Sequence, residues 1–302
     1  MKSIRSWAGT AAFLPVFAAI LLVFDPAQRI ARLFGQRPQE YVAGALQVAL
    51  VAAFRLCGVR LAVERAPGFV PGRSYVVISN HQSMFDIALL GTLLFRSFPK
   101  YISKRSLGGW IPSVSYNLRR GGHVLIDRGD APGAVATIRE LGRRVQAGGI
   151  SAVIFPEGTR SRAGELREFR RAGTLALLEA APDVPVVPIT IDQSWRLLAN
   201  NMFPIPWGVR VRVRIGEPIA RRPGDATALV ERVRGEMLAT LARWRGGAAP
   251  AELADRRHRA GGIAAVDEHV AAAAEVVGDA RDPTPQRPLG DVLGEAPEEE
   301  RA

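Results

Sequence analysis

Between Gly58 and Arg245, short apolar runs alternate with longer segments whose apolar residues recur at helical spacing. This alternation restricts the chain to very few architectures. Ser74–Ser79, Lys100–Ser103, His123–Ile126, Ser151–Phe155 and Val184–Ile191 read as strands. Val209–Ile215, where Val and Ile alternate with Arg, reads as a half-exposed one. Met84–Phe95 and Ala172–Ala181 are apolar and of helical length. Ala131–Gln146 places Ala134, Ile138, Leu141 and Val145 on one helical face, and Ala226–Trp244 is a final amphipathic helix. Strands and helices taken in turn imply an α/β domain whose mixed, mostly parallel sheet is flanked by helices.

Ahead of this domain lies a different kind of sequence. Trp7–Phe24 is an 18-residue run without a charge, at the lower limit for crossing a bilayer. Tyr41–Phe54, broken only by Gln47, is too short to span comfortably and suits an interfacial helix. Lys2 and Arg5 before the first run also fit a signal peptide. Its length, and the lack of a small-x-small cleavage site in a polar context, favour an anchor. Arg5, Arg29, Arg32 and Arg37 flank the run on both sides. A membrane-associated helical hairpin with both ends cytoplasmic satisfies their placement best. The expected division is therefore 1–57 for membrane-anchoring helices, 58–246 for a catalytic domain, and 247–302 for an acidic, largely disordered tail with a weak helix over 262–277.

The net charge of +11 is unevenly spread: residues 247–302 hold 12 acids against 6 arginines, so the body before them is strongly basic. Such a body suits an anionic membrane surface or a phosphate-rich partner. Few aromatics and no basic-aromatic stripe argue against nucleic acid. High-GC codon usage would also enrich arginine. The single Cys57 excludes an internal disulfide, and the four scattered histidines offer no metal site.

The chemistry concentrates at predicted strand ends. His81 follows one strand and precedes a helix, with Asp86 five residues on. Five residues rotate about 140° along a helix, so the two side chains can meet only if His81 sits in the turn and Asp86 in the first helical turn. A carboxylate on one imidazole nitrogen would fix the tautomer and leave the other nitrogen free to take a proton. The competing reading is a simple capping box, Ser83-x-x-Asp86. At the next strand end, Glu157-Gly158-Thr159-Arg160 offers a glycine turn, an anion-binding arginine and a carboxylate that could accept from a hydroxyl or orient an arginine. An ordinary surface turn would look the same. Arg128, after Asp127, is a further candidate phosphate ligand or a surface ion pair, whereas His123 reads as structural. Val187-Pro188 could line an acyl groove or belong to the sheet core.

Taken in order, these segments resemble the glycerolipid acyltransferase family. Asn80, His81 and Asp86 match its Asn-His-x-x-x-x-Asp motif. Lys104, Leu107, Pro112, Gly122, Ile126, Asp127 and Arg128 match its second block. Phe155–Ser161 matches Phe-Pro-Glu-Gly-Thr-Arg-Ser without a gap, Phe169-Arg170-Arg171-x-Gly173 follows it, and Val187-Pro188 matches the fourth motif. The likeness covers about residues 60–220 and departs at Ser106 and Ser115. It implies that His81, oriented by Asp86, deprotonates a lipid hydroxyl that attacks acyl-CoA or acyl carrier protein as co-substrate, with no metal or cofactor. It also implies that Arg128, Glu157, Gly158, Thr159 and Arg160 hold the acceptor, with Lys104 as a weaker candidate and Val187 and Pro188 beside the acyl chain. The expected acceptor is 1-acyl-sn-glycerol 3-phosphate, the alternative another lysophospholipid or a lyso-ornithine lipid, and the remote alternative a non-catalytic binder of anionic lipid. The expected location is a bacterial-type inner membrane with the catalytic domain on its cytoplasmic face. Oligomeric state is left open.

Overall fold

A computed structural model describes residues 3–127, 129–222 and 224–246 and the backbone of 263–265. Two N-terminal helices, α1 (Ile4–Leu33) and α2 (Gln36–Ala53), turn back on each other at Phe34-Gly35. The domain then runs β1 (Arg60–Arg65), β2 (Val76–Ser79), α3 (Asp86–Leu93), β3 (Pro99–Lys104), α4 (Val114–Arg120), β4 (Val124–Ile126), α5 (Ala131–Gln146), β5 (Ser151–Ile154), α6 (Arg171–Ala180), β6 (Val186–Asp192), β7 (Arg210–Ile215) and α7 (Ala226–Trp244). A last strand, β8 (Ile263–Ala265), lies outside the domain's sequence limits.

The sheet order is β4-β3-β5-β2-β6-β7-β1-β8. The first five strands are parallel, β7 is antiparallel to β6, β1 is parallel to β7, and β8 is antiparallel to β1. The expected mixed, mostly parallel sheet is therefore found. Strand alternation divides the core. Val77, Val187, Ile189 and Ile191 face a cluster with α1 and α3. Val76, Ile78 and Val186 face a second cluster with Ile138, Leu141 and Val145 of α5 and with α6 and α7. Asp130 caps α5 by accepting from Gly133 N at 2.9 Å.

Three expectations change. The helix expected over Met84–Phe95 begins only at Asp86 and gives way to a 3-10 turn at Phe95–Ser97. Residues 263–265, expected within a weak helix, instead add a strand to the otherwise open edge of β1, where backbone pairing is the stronger attraction. The remainder of the expected tail helix lies outside the described residues. The two apolar segments are also unequal partners. Ile4–Leu33 and Gln36–Cys57 are both long and apolar enough to cross a bilayer. However, α2 is packed on the domain, its Glu40 buried in an ion pair with Lys100 of β3 at 2.6 Å. The more apolar α1 leaves Ile4, Leu22, Val23, Ile30 and Leu33 exposed. Two such helices fit membrane association, with α1 giving the outer face.

Aromatic packing joins α1 to the domain. Phe13 of α1 stacks on Phe54 at 4.6 Å between ring centroids, and Phe54 meets Phe85 edge-on at 4.5 Å. Phe85 immediately precedes Asp86.

Near Lys100, His123 is structural, as read from the sequence: its Nδ1 accepts from Tyr101 N at 3.0 Å. Burial, then the Lys100 and Arg144 charges, push it down to about 3. In the unfolded chain it takes up a proton below about pH 6.5, while the folded state refuses one down to about 3. Stability should therefore fall with pH across that window by about 1.4 kcal/mol per unit from this group. Denaturation midpoints measured in detergent between pH 6 and pH 4, about the upper part of this window, should decline less steeply in His123→Gln than in the parent.

Candidate active site

β2 ends at the C-terminal edge of the parallel strands, and Asn80 extends its pairing with a side chain. Asn80 Nδ2 donates to Ile191 O at 2.8 Å, and its Oδ1 accepts from Ile191 N at 2.7 Å. The amide thus replaces one more rung of the β2–β6 ladder and fixes where the loop leaves the sheet. His81 follows in that loop and Asp86 opens α3, the arrangement that their spacing requires. His81 Nδ1 lies 2.9 Å from Asp86 Oδ2. Phe155 at the end of β5 stacks on the imidazole at 4.2 Å. With Nδ1–H donated to the carboxylate, Nε2 is the nitrogen left to exchange a proton with a substrate. The His81 side chain is 15% exposed, enough to be reached while its partner is fully buried.

Asp86 serves the backbone as well. Its Oδ2 also accepts from Gln82 N at 2.6 Å and Ser83 N at 2.8 Å, and its Oδ1 accepts from Ser194 Oγ at 2.6 Å. The competing capping box does not form: Asp86 is the first residue of α3, Phe85 stands at its N-cap without a side-chain cap, and the carboxylate instead holds the 82–83 turn ahead of the helix. Four donors offset the cost of burying the charge. Neither Asn80 nor Ser194 stood out as a site residue from sequence. Ser194 is 108 residues from Asp86, and no local pattern could have marked it. For Asn80 the signal was present, since it stands in the motif itself.

Glu157 requires a correction. Expected to touch substrate, it is 2% exposed, and both its oxygens are taken by backbone. Oε1 accepts from His81 N at 2.7 Å and Oε2 from Arg167 N at 2.9 Å. Burial holds its carboxyl above the usual range, opposed by those two N–H bonds. Glu157 is a brace tying the 156–167 loop to the His81 loop, and Ser161 N adds a bond to His81 O at 2.8 Å. Gly158 makes the turn at φ +67°, in the region where a side chain is strained, and its N–H donates to Phe155 O within that turn.

The rest of this loop is where a polar anion would fit. Thr159, Arg160, Arg162, Arg167 and Arg170 line an open depression beside Glu157, with Glu165 and Glu168 also in its wall. Of these, sequence reading had singled out only Thr159 and Arg160 as ligands. Arg245, just past α7, holds the loop from behind, donating to Gly164 O at 2.7 Å and pairing with Asp192 Oδ1 at 2.5 Å. Lys104 is exposed at the C-terminal end of β3, on the same sheet edge but two strands from His81. Arg128 lies outside the described residues.

Val187 and Pro188 do not line a groove. Both are buried in β6, between β2 and β7, because a central strand with two covered faces has no open side. An apolar pocket lies elsewhere, lined by Val51, Phe54, Phe85, Leu89, Leu197 and Val211. Ser194, the donor to Asp86, sits in its wall.

The Glu157 brace can be tested without an assay. A glutamine offers one carbonyl oxygen to two N–H donors and turns an NH₂ against the other. Glu157→Gln should lower unfolding free energy by about 1–3 kcal/mol, the cost of leaving a buried donor unpaired. Equal denaturation midpoints for variant and parent would contradict it.

The chain is similar to known proteins in sequence and fold. Residues 60–192 match the profile of the family described as Acyltransferase. The 1-acyl-sn-glycerol-3-phosphate acyltransferase alpha of Mus musculus is 32% identical over 199 residues, covering 64% of this chain and 67% of that protein. Its Homo sapiens counterpart is 31% identical over 197 residues, covering 64% and 68%. The crystal structure of the 1-acyl-sn-glycerophosphate acyltransferase PlsC from Thermotoga maritima has the same fold. It superposes with a TM-score of 0.65 at 22% identity, over 83% of this chain and 100% of that one. The protein is an enzyme, and its chain belongs to the 1-acyl-sn-glycerol-3-phosphate acyltransferase family.

Proposed function

We propose that this enzyme transfers a fatty acyl group from acyl-CoA or acyl carrier protein to the sn-2 hydroxyl of 1-acyl-sn-glycerol 3-phosphate, forming phosphatidic acid. The observation that carries the reading is the His81–Asp86 contact of 2.9 Å, set at a sheet edge beside an arginine-lined depression. His81 Nε2 takes the hydroxyl proton as the oxygen attacks the thioester carbonyl. Collapse of the tetrahedral adduct breaks the C–S bond, and the imidazolium returns its proton to the departing thiolate. Asp86 keeps the tautomer and stabilises the imidazolium. No enzyme nucleophile is needed, because the acceptor supplies the oxygen.

Arg160 is the first choice to hold the acceptor phosphate, with Arg162, Arg167 and Arg170 in the same depression; guanidinium forks suit phosphate oxygens. Arg128 and Lys104 are additional cations for the anionic head. The pocket behind Ser194 is the proposed seat of the donor's acyl chain, since it is apolar and reaches the back of the dyad. The basic body and the exposed face of α1 favour an inner-membrane enzyme working at the cytoplasmic leaflet, where soluble thioesters are at hand. Ser115, one of the two departures from the family pattern, spends its hydroxyl inside the β3–α4 loop, on Leu107 O and Ile111 N. It therefore gives no reason to prefer another acceptor.

His81→Ala should reduce acyl transfer by about 10²–10⁴-fold with the fold retained. Product lipids read by mass spectrometry across a panel of lyso-acceptors should show phosphatidic acid foremost, and preference for a phosphate-free acceptor would reject this reading. Val211→Phe, which fills the pocket, should shift the products toward shorter acyl chains. An unchanged chain profile would place the acyl group elsewhere.

A further inference from the structure

The loop between β3 and α4, residues 105–113, holds a bare indole on a stiff frame. Trp110 is 89% exposed. The backbone around it is not loose. Ser115 Oγ accepts from Ile111 N at 2.9 Å and donates to Leu107 O at 3.0 Å. The Arg119 guanidinium bonds the carbonyls of Gly108 and Gly109, the residues directly before Trp110. The far end of the loop is pinned to α1. There Ser113, at φ +61°, donates its N–H to Asp25 Oδ1 at 2.7 Å and its Oγ–H to Leu21 O at 2.6 Å, and its carbonyl accepts from Gln28 Nε2 at 3.2 Å. Many of the loop's polar groups are thus engaged inward; Arg105, Ser106 and Leu107 are exposed beside Trp110, whose indole is the side chain most at home where hydrocarbon meets water.

What the loop faces is indicated by its surroundings. It is continuous with α1 at Leu21 and Asp25, where the neighbouring Leu22 and Val23 are 63% and 64% exposed. Residues 104–126 carry Lys104, Arg105, Arg119 and Arg120 and no acid. The loop leaves β3 at the sheet edge that also carries His81 and the arginine-lined depression. An apolar tip, a cationic collar and continuity with the membrane helix fit one occupant: the headgroup layer of an anionic phospholipid leaflet.

We propose that the Trp110 loop is a second membrane contact, seating its indole at the glycerol level while the flanking cations meet lipid phosphates. α1 sets the depth of the enzyme. A second contact away from the helix axis sets its tilt, and turns the sheet edge bearing His81 toward the leaflet. The proposal does not depend on which acceptor the enzyme uses.

The test needs no turnover. The full chain and its Trp110→Phe variant are reconstituted into vesicles of phosphatidylglycerol and phosphatidylcholine, with the phosphatidylcholine brominated near the headgroup end or near the methyl end of its chains. Trp110 has no packing role that the smaller ring would disturb, so the variant keeps the fold. Tryptophan fluorescence of the parent should contain a lipid-quenched component, of the order of one indole among five, that the variant lacks. Bromines near the headgroup should quench it more than deep ones. The same fractional quenching in both proteins would overturn the proposal. So would an unquenched Trp110 together with a dimer that the substitution dissolves, since that result assigns the face to a second copy of the chain.

Discussion

A buried carboxylate must have its acceptor capacity filled, and at Asp86 this requirement organises the site. Its donors come from the imidazole of His81, from two successive backbone N–H groups and from Ser194 beyond β6. Three of these donors come from the single loop 81–83 and the fourth from the segment after β6, so loop path, helix start and the neighbouring strand's exit are all constrained by one side chain. Glu157 repeats the device one strand away, spending its two oxygens on His81 N and Arg167 N. The imidazole is consequently oriented through its ring by one acid and through its backbone by another. Neither acid has a free oxygen to offer a substrate. In the proposed reaction, recognition of the acceptor falls to the arginines of the 159–170 loop, which these braces hold in place.

Much of this was legible in the sequence, for reasons that can be named. Continuous apolar runs marked β2, β5 and β6, which are buried on both faces, alternation marked β7, and helical spacing marked α5 and α7. The five-residue spacing limited the His81–Asp86 contact to one geometry. β1 escaped notice because Arg60-Leu-Ala-Val-Glu-Arg65 lies near the sheet's edge and buries little beyond Val63. α4 is only seven residues long, and its buried positions include Ser115 and Asn117, which bond to neighbouring segments instead of forming an apolar stripe. Glu157 was misread because a charged residue at a strand end ordinarily faces out. Its burial follows from loop closure over ten residues, for which there is no local signal. Val187-Pro188 was ambiguous until the strand's place between β2 and β7 was known.

The hairpin illustrates the same lesson. By composition its two segments differ in degree; in the fold they differ in kind. Glu40 sits near the start of α2, buried, because its partner, Lys100, waits in β3 sixty residues on. Burial drags the Lys100 amine down while Glu40 supports its charge, and the amine also donates to Gly121 O at 2.9 Å. α2 is thus a core helix with one apolar side to spare, and α1 is laid over it with its own apolar face exposed.

The aromatic chain Phe13–Phe54–Phe85 bears on how this enzyme could ever be made water-soluble. The boundary that composition draws at residue 57 divides a packed cluster, with Phe13 and Phe54 on one side and Phe85, the residue before the site's buried acid, on the other. Cutting there would strip a wall from the apolar pocket and uncover the ring beside Asp86. A soluble form would have to be obtained by recolouring the outer face of α1 with polar residues while leaving its inner face untouched. The apolar outer helix and the catalytic architecture in this sense share one packed cluster, separable by surface chemistry and not by cutting the chain.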